Sequence, residues 1–135
     1  MKNICILGLG SIAHRVAVGI QAAKNAQLYA VCSRSRQKAR EFAQRFSLPC
    51  FFDSMDAMLQ DEKVDVIYIC TPNSLHKAHI LKCLAHDKHV ICEKPMVLHT
   101  QDLVECFAMA KEKHRFLMEA HKCVFTPLNQ KIHQM

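Results

Sequence analysis

Long apolar runs are missing from this sequence. Half of its 135 residues are hydrophobic, but every apolar run is far shorter than the roughly 18 residues that a membrane-spanning helix needs. Met1, Lys2 and Asn3 lead directly into a strand-length apolar run, without the hydrophobic region and cleavage site of a secretory signal. We therefore expect a soluble globular protein with no membrane partner and, by default, a cytoplasmic location.

Gly/Ser linkers, internal repeats and low-complexity segments are missing as well. A chain of 135 residues can bury one sizeable core but not two. Strand-like and helix-like stretches alternate along the chain, which is typical of an α/β fold with a parallel sheet. We predict a doubly wound, mainly parallel sheet with helices on both faces. Strands are expected near residues 3–7, 28–33, 50–52, 65–70, 89–92 and 115–119.

Short polar residues and apolar spacing predict the helices between these strands. Ser54 is expected to cap the third helix, Asn73 or Ser74 the fourth, and Thr100 the fifth. The buried stripe of the fourth helix should consist of Ile80, Leu81 and Leu84. That of the fifth should consist of Leu103, Val104, Phe107 and Ala108.

No isolated basic arm is present, although the formal net charge is +6. Five basic residues share one segment: Arg34, Arg36, Lys38, Arg40 and Arg45. Apolar residues recur at helical spacing within it: Ala39, Phe42, Ala43 and Phe46. The segment is therefore predicted to be an amphipathic helix whose basic residues mostly line the solvated face, and nucleic acid is not an expected partner.

A disulfide framework is not expected from the eight cysteines. Thiols stay reduced inside cells, and most of these cysteines sit among apolar neighbours. The spacing Cys83-x-x-His86-x-x-His89-x-x-Cys92 offers four possible zinc ligands. Its members straddle a predicted helix end, a turn and a strand, so we expect buried cysteines beside solvated histidines and no metal site.

The first strand breaks into a glycine-containing turn, Gly8-x-Gly10-x-x-Ala13, in which Ser11 and Ile12 also count as cofactor-binding candidates. Gly8 allows a tight turn, and Gly10 lacks the Cβ that would block a pyrophosphate. Ala13 is small enough for the next helix to pack on the strand, and that helix's N-terminus would face the phosphates. The alternative is an ordinary strand-turn-helix without a nucleotide.

An acidic residue is missing after the second strand, where it would bond an adenosine ribose 2′-hydroxyl. Ser33-Arg34-Ser35 stands there instead, and arginine suits a 2′-phosphate. The two hydroxyls can donate hydrogen bonds, while Arg34 can pair with phosphate or stack on adenine. This favours NADP over NAD as cofactor. A solvent-facing turn residue is the alternative role for Arg34, and stacking alone would not separate the two cofactors.

Two further motifs follow the fourth and fifth strands: Thr71-Pro72-Asn73-x-x-His76 and Glu93-Lys94-Pro95. In order and separation, these motifs and the glycine turn resemble the Gfo/Idh/MocA oxidoreductase family. The resemblance is greatest to the branch with dihydrodiol dehydrogenases and bacterial sugar oxidoreductases. It covers essentially the whole chain and implies a Rossmann fold with NAD(P) at the carboxyl ends of the strands.

The resemblance also implies roles for individual residues in hydride transfer between a nicotinamide and a secondary alcohol or carbonyl of a sugar, cyclitol or diol. Lys94 would be the catalytic residue, orienting the reacting oxygen and assisting proton transfer. Glu93 would bond the nicotinamide ribose or orient Lys94, and Pro95 would hold the lysine's direction. The ribose and pyrophosphate side would be lined by Thr71, Pro72, Asn73 and His76. A helix-surface imidazole is the alternative for His76.

The resemblance implies a second, substrate-binding domain, which we do not expect within a sequence that ends at Met135. Residues 1–120 are expected to form the NAD(P)-binding domain. Residues 121–135 would begin the connection to the missing domain, with Thr126 as N-cap and Pro127 as first helical residue. The truncated chain is therefore expected to be inactive alone, because a polyol or sugar-type substrate would need that domain. The arginine often found before the phenylalanine in the dihydrodiol-type branch is also missing from Lys122-Cys123-Val124-Phe125.

Self-association is expected if apolar groups around Phe125, Leu128 and Ile132 are left uncovered. Two functions stay open at this point. The first is the nucleotide-binding half of an NAD(P)-dependent oxidoreductase, and the alternative is a non-catalytic NADP-binding regulatory or interaction module.

Overall fold

The computed structural model describes residues 1–135, apart from the side chain of Val124. The strands are β1 (Lys2–Leu7), β2 (Ala26–Cys32), β3 (Cys50–Phe52), β4 (Val66–Ile69), β5 (His89–Glu93) and β6 (Leu117–Ala120). The α-helices are α1 (Ala13–Ala22), α2 (Arg36–Arg45), α3 (Met55–Gln60), α4 (His76–Ala85), α5 (Thr100–Glu112) and α6 (Pro127–His133). Short 3₁₀ helices span Asn73–Leu75 and Lys122–Phe125.

The six strands form one parallel sheet in the order β3-β2-β1-β4-β5-β6. The strand order reverses between β1 and β4, which pair directly. In such a sheet the crevice for a ligand opens at the carboxyl ends of the strands, beside that reversal. The predicted doubly wound Rossmann fold is therefore confirmed.

Apolar side chains cover both faces of the sheet. Along β1, Cys5 and Leu7 enter one core cluster, which also holds Ile80 and Leu84 of α4. Ile4 and Ile6 enter the other cluster, together with residues of α1 and α2. A parallel strand that is buried on both sides needs such a continuous apolar run instead of polar-apolar alternation.

Most of the sequence-based element predictions are confirmed, with small shifts at strand ends. Ser54 caps α3 by accepting a 3.1 Å hydrogen bond from the Ala57 amide. Thr126 caps α6 through the Asn129 amide, with Pro127 in the first turn. The apolar stripes of α2 and α4 are buried as expected, although Phe46 and Leu81 are only partly covered.

Two cap predictions are wrong. Neither Asn73 nor Ser74 caps the fourth helix, because a 3₁₀ turn over Asn73–Leu75 precedes α4 and no side chain caps its start. Thr100 is not an N-cap either, because it already lies inside α5, and His99 precedes it without a side-chain cap bond. In both places the chain enters the helix by backbone geometry alone.

The predicted buried face of α5 is confirmed only at Leu103, which packs against the core, and is wrong for Val104, Phe107 and Ala108, which are exposed. Val104 and Phe107 are 57% and 44% exposed, whereas Cys106 and Ala110 are buried. Lys77 of α4 forms ion pairs of 2.7 and 2.8 Å with Asp102 and Glu105 of α5. These pairs join α4 and α5 at the surface. The core packing turns Cys106 and Ala110 inwards, with Leu103 and Met109 beside them, and the larger side chains Val104 and Phe107 face outwards.

The eight cysteines are free in the structure; six are buried, Cys50 is partly buried and Cys123 is exposed. Among the residues that the structure describes, no three His, Cys, Asp or Glu side chains are grouped to hold a metal ion. His86 Nδ1 contacts the Lys82 carbonyl, and His89 Nδ1 accepts from the Phe116 amide. Within the same residues, no helix is long and apolar enough to cross a membrane.

Candidate functional site

A cleft of about 970 Å³ opens at the carboxyl ends of the strands. Segments that follow β1, β2, β3, β4 and β5 line it, and Lys38 of α2 and His79 of α4 add to its walls. The structure brings together the four strand edges that the sequence singled out. Of the fourteen predicted site residues, three do not line the cleft: Ala13, His76 and Pro95.

Gly8 stands where the chain turns tightly against β4. Its φ is +93°, a conformation that favours glycine, and a Cβ there would lie 2.7 Å from Thr71 Cγ2. A Cβ at Gly10 would lie 2.9 Å from the Cys70 carbonyl oxygen. Gly10 is therefore required by the packing of the turn on the end of β4, a reason that was not visible from the sequence.

The start of α1 presents backbone donors to the cleft. Among the described residues, the amides of Gly10, Ser11 and Ile12 have no intramolecular acceptor. No side chain caps α1, and its first turn holds no acidic residue. Uncapped N–H groups at a helix N-terminus favour an anion such as a phosphate. Ala13 is fully buried behind the turn and lets α1 approach the sheet.

The wall after β2 is basic. Ser33, Arg34 and Ser35 line it, and Lys38 one helical turn later joins them. Each serine hydroxyl accepts a backbone N–H, Ser33 from Ser35 and Ser35 from Lys38, both at 3.3 Å. Each hydroxyl hydrogen is left to donate to a ligand. Sequence reasoning missed Lys38 as a site residue, because it lies in the first turn of α2 and no local pattern shows that this turn reaches the cleft.

Asp53 is an acidic residue of the cleft that sequence reasoning also missed. It follows β3 and therefore reaches the basic wall from a neighbouring strand. Its carboxylate is paired with Arg36 at 3.0 Å. Because its charge already has a partner, Asp53 repels a bound phosphate less than a lone carboxylate would.

His76 lies behind the cleft and is fully buried, so it is neither a lining residue nor a helix-surface imidazole. Its Nδ1 is 2.8 Å from the Pro95 carbonyl oxygen, and its Nε2 is 2.8 Å from the Thr71 carbonyl oxygen. The ring thus joins the segments after β4 and β5. The spacing of the two motifs could not predict that one buried ring would contact the backbone of both.

His79 takes the lining position that was expected for His76. Its Nδ1 and the Thr71 hydroxyl are 2.9 Å apart and share a hydrogen bond. Burial lowers the pKa of this imidazole, and electrostatic interactions with His76, Lys82 and Arg34 lower it further. The i+3 spacing from His76 is the signal that could have found it.

The last wall carries an amine and a carboxylate. Lys94 is exposed at the cleft, and among the described residues its amine has no hydrogen-bond or ion-pair partner. Glu93 Oε1 accepts a 2.7 Å hydrogen bond from the Tyr68 hydroxyl. Burial first, and then this carboxylate, raise the pKa of Tyr68. The phenol therefore stays protonated as a donor that orients Glu93.

The backbone after Lys94 is held from two sides. The Lys94-Pro95 peptide bond is cis. The Met96 amide donates to Glu119 Oε2 of β6 at 2.8 Å, while the Pro95 carbonyl oxygen faces His76. These contacts fix the turn that carries Lys94 to β6 on one side and to α4 on the other.

The cleft therefore has three chemically different regions. A basic wall after β2 and unpaired amides at α1 suit phosphate groups, and an amine beside an oriented carboxylate follows β5. The two glycines of the turn let it pass close to Cys70 and Thr71 after β4. This order of features fits an extended dinucleotide whose far end reaches Lys94.

Known proteins share both the sequence and this fold. Residues 2–121 match the family model described as GFO_IDH_MocA, an oxidoreductase family with an NAD-binding Rossmann fold. The chain is 35% identical over 127 residues to a scyllo-inositol 2-dehydrogenase (NADP(+)) of Bacillus subtilis, covering 94% of this chain and 39% of that protein. It is 32% identical over 130 residues to a trans-1,2-dihydrobenzene-1,2-diol dehydrogenase of Xenopus tropicalis, covering 96% and 39%.

A solved structure with the same fold is a 3-ketoreductase from Actinomadura kijaniata in complex with TDP-benzene and NADP. The TM-score is 0.93 at 27% identity, over 99% of this chain and 42% of that one. The chain thus spans about two fifths of the length of the proteins that it matches.

Proposed function

The chain belongs to the Gfo/Idh/MocA oxidoreductase family and carries its NAD-binding Rossmann domain, and from that premise we propose that it binds NADP in the cleft after the strands. We further propose that Lys94 serves hydride transfer at a secondary alcohol or carbonyl of a cyclitol, diol or sugar. The observation that carries the proposal is the meeting of unpaired α1 amides, a basic wall and Lys94 in one cleft.

Selection of NADP over NAD is assigned to the wall after β2. A 2′-phosphate would meet the Arg34 guanidinium, the Lys38 amine and the Ser33 hydroxyl there. Asp53 is held by Arg36 and does not offer an unpaired carboxylate to a ribose hydroxyl. The NADP named for the Bacillus relative and the Actinomadura complex agrees with this choice.

The amides of Gly10, Ser11 and Ile12 would hold the pyrophosphate, and the Thr71–Asn73 segment would line the side towards the nicotinamide. The bound nicotinamide supplies the hydride chemistry. Glu93, oriented by Tyr68, would accept a hydrogen bond from a ribose hydroxyl.

Lys94 is the residue proposed to act on the substrate oxygen. Its amine has no partner among the described residues and lies at the cleft, so it is available to a ligand. The ammonium can donate a hydrogen bond that orients a hydroxyl or carbonyl oxygen, and it can exchange a proton with that oxygen. We propose that the chain by itself binds dinucleotide without turnover, because no further acid-base group of the family pattern is assigned within it.

Calorimetric titration with NADPH and NADH in parallel tests the cofactor assignment. Arg34→Ala and Lys38→Ala should each weaken NADPH binding about tenfold, or roughly 1.4 kcal/mol, and leave NADH binding unchanged. Arg45→Ala is the matched control, because Arg45 is exposed on the same helix but outside the cleft. Equal weakening of NADPH and NADH binding would refute recognition of the 2′-phosphate by these residues.

Ser11→Glu tests the phosphate turn without disturbing its packing. Ser11 is exposed and lines the cleft, and a carboxylate before α1 is compatible with the helix dipole. The variant should fold and lose both dinucleotides by charge repulsion. Ser74→Glu, exposed outside the cleft lining, should bind as the parent does. A folded parent chain that binds neither nucleotide would overturn the proposal, whereas tight binding without turnover in every longer form would favour the non-catalytic module.

Self-association is a further proposal, supported by exposed apolar side chains near the C-terminal end of the sequence. Phe125, Leu128 and Ile132 are 58%, 70% and 56% exposed, and uncovered apolar surface of this kind favours contacts between molecules. Sedimentation over a hundredfold dilution should show a concentration-dependent mass. A mass that stays monomeric throughout would refute it. The cytoplasmic location also stays a prediction, in keeping with the unpaired cysteines.

A further inference from the structure

Asp53 places a carboxylate on the basic wall of the cleft. The Ser33 amide donates a 3.1 Å hydrogen bond to the Phe52 carbonyl oxygen, so the segments that follow β2 and β3 run side by side. Both segments line the cleft, with Arg34 on one and Asp53 on the other. A carboxylate attracts a ribose 2′-hydroxyl, whereas it repels a 2′-phosphate. The proposed phosphate site therefore has beside it a group that would by itself favour NAD.

Arg36 holds that carboxylate from outside the cleft. Its Nη1 donates a 3.0 Å hydrogen bond to Asp53 Oδ2, and its guanidinium carbon lies 5.5 Å from the centre of the Phe51 ring. The ion pair and the cation–π contact both tie the guanidinium to the end of β3. Arg36 is the first residue of α2 and does not line the cleft. Its effect on a ligand is therefore expected to pass through Asp53.

The exposure of this ion pair decides what it can do. The side chains of Arg36 and Asp53 are 72% and 42% exposed, and an exposed ion pair contributes little to folding stability. Removal of the guanidinium is therefore not expected to unfold the chain. The repulsion between Asp53 and a nearby phosphate does change, because the paired positive charge offsets part of the field of the carboxylate. The pair is thus suited to influence ligand choice more than stability.

We propose that Arg36 is a positioning residue that sets the choice between NADP and NAD by holding Asp53. With Arg36 in place, Arg34 and Lys38 meet a 2′-phosphate without opposition from a free carboxylate. Without Arg36, the carboxylate repels that phosphate and accepts a hydrogen bond from a ribose 2′-hydroxyl instead. The inference rests on the proposed NADP site, whereas the contacts of Arg36 do not.

Calorimetric titration of the full chain with NADPH and with NADH tests the proposal. Arg36→Met keeps the apolar stem of the side chain beside Phe51 and removes only the charge. It should lower the NADPH affinity about tenfold and leave the NADH affinity equal or up to about threefold higher, because like charges then face each other at the 2′-phosphate alone. An unchanged ratio of NADPH to NADH affinity would overturn the proposal.

Removal of the carboxylate separates an effect through Asp53 from a direct contact of Arg36 with the phosphate. Asp53→Asn should raise the NADPH affinity by up to about threefold, because the charge of Arg36 is then unbalanced. Arg36→Met combined with Asp53→Asn should return the NADPH affinity to within about threefold of the parent, since two residues that share one contact are not additive. A double variant as weak as Arg36→Met would refute action through Asp53.

Arg40→Met is the matched control for charge. It removes the same positive charge one helical turn further along α2, and Arg40 is exposed outside the cleft lining. This variant should keep the parental ratio of NADPH to NADH affinity. Equal losses in Arg40→Met and Arg36→Met would contradict the proposal, because net charge alone would then account for them. Circular dichroism shows that each variant is folded before it is titrated.

Adenosine 2′,5′-bisphosphate separates failure of this proposal from failure of the proposed function, because it carries the 2′-phosphate without the nicotinamide half. If it binds and NADPH does not, the cofactor assignment is wrong, and its titration against Arg36→Met and the double variant still decides the role of Arg36. If NADPH binds and Arg36→Met keeps the parental ratio, the cofactor assignment stands and the role of Arg36 is refuted. Binding of neither probe to the folded parent chain would refute both.

Discussion

The Tyr68 hydroxyl donates a 2.7 Å hydrogen bond to Glu93 Oε1. Tyr68 lies in β4, at the middle of the sheet, and Glu93 is the last residue of β5, next to Lys94. The side chain of a sheet strand therefore controls the direction of a carboxylate at the cleft. Because Tyr68 and Glu93 are 25 residues apart in the chain, no local sequence pattern predicts this contact.

Tyr68→Phe should weaken NADPH binding, because Glu93 loses its orienting donor. Stability should fall by roughly 1.5 kcal/mol, the range for a hydrogen bond to a charged group, since the phenyl ring keeps the packing. Tyr29→Phe is the matched control: it removes a 3.0 Å hydrogen bond to Asp61 outside the cleft. Urea unfolding and NADPH titration of both variants separate the two effects. Unchanged NADPH affinity in Tyr68→Phe would show that Glu93 needs no such orientation.

Alanine at two glycines should change stability in opposite directions. Gly10→Ala places a Cβ 2.9 Å from the Cys70 carbonyl oxygen, and overpacking of this kind costs about 1–3 kcal/mol. Gly19→Ala, in the middle of α1, meets nothing within 4 Å and should stabilise the helix by about 1 kcal/mol. Thermal unfolding of the two variants checks this. A Gly10→Ala variant as stable as the parent would mean that the turn can move away from β4.

Acid should destabilise the fold through His89, whose Nδ1 accepts a 3.0 Å hydrogen bond from the Phe116 amide. Burial lowers the pKa of His89, and Arg115 and Lys2 lower it further. The folded chain therefore binds this proton less readily than the unfolded chain. Stability is unaffected above the ordinary value of about 6.5 and falls as the pH drops below it. The pKa of His79 is also lowered, so this residue likewise reduces the stability of the fold in acid.

His89→Gln should reduce the loss of unfolding free energy between pH 6.5 and 5, because glutamine has no proton to gain in this range. His121→Gln, a change at an exposed ring, should show the parental slope. Urea denaturation at a series of pH values measures both. Identical slopes in all three proteins would rule out a contribution from His89.

Lys88 is a buried cation that holds the end of α3. It is 8% exposed, and its Nζ donates to the carbonyl oxygens of Asp61 and Val64, each at 2.8 Å. Lys88→Met would leave two carbonyls without this donor and should cost roughly 2–4 kcal/mol. Lys82→Met removes only a surface ion pair with Asp56 and should change little. Equal effects of the two substitutions in chemical denaturation would contradict this assignment.

Local sequence patterns correctly predict the caps and helix faces that depend only on residues a few positions apart. The Ser54 and Thr126 caps depend on bonds to residues three positions away, and the α2 stripe depends on helical spacing. The exposed Phe107 and buried Cys106 could not be separated in this way, because both fit an apolar face of α5. The core packing decides between them, because Cys106 enters a cluster of residues that lie far apart in the chain.

The candidate site, like the fold, has features that the sequence predicts and features that only the folded structure shows. By itself, the sequence determined the parallel α/β fold, the glycine turn and the chemistry expected after each strand, because periodicity, turn conformation and side-chain type are properties of short segments. Only the tertiary structure decided that Gly10 abuts Cys70, that Asp53 and Lys38 enter the cleft, and that His76 is buried between two carbonyls while His79 lines the cleft. These contacts depend on which strand ends lie next to each other in the folded sheet, and the spacing of residues within one short segment does not determine that.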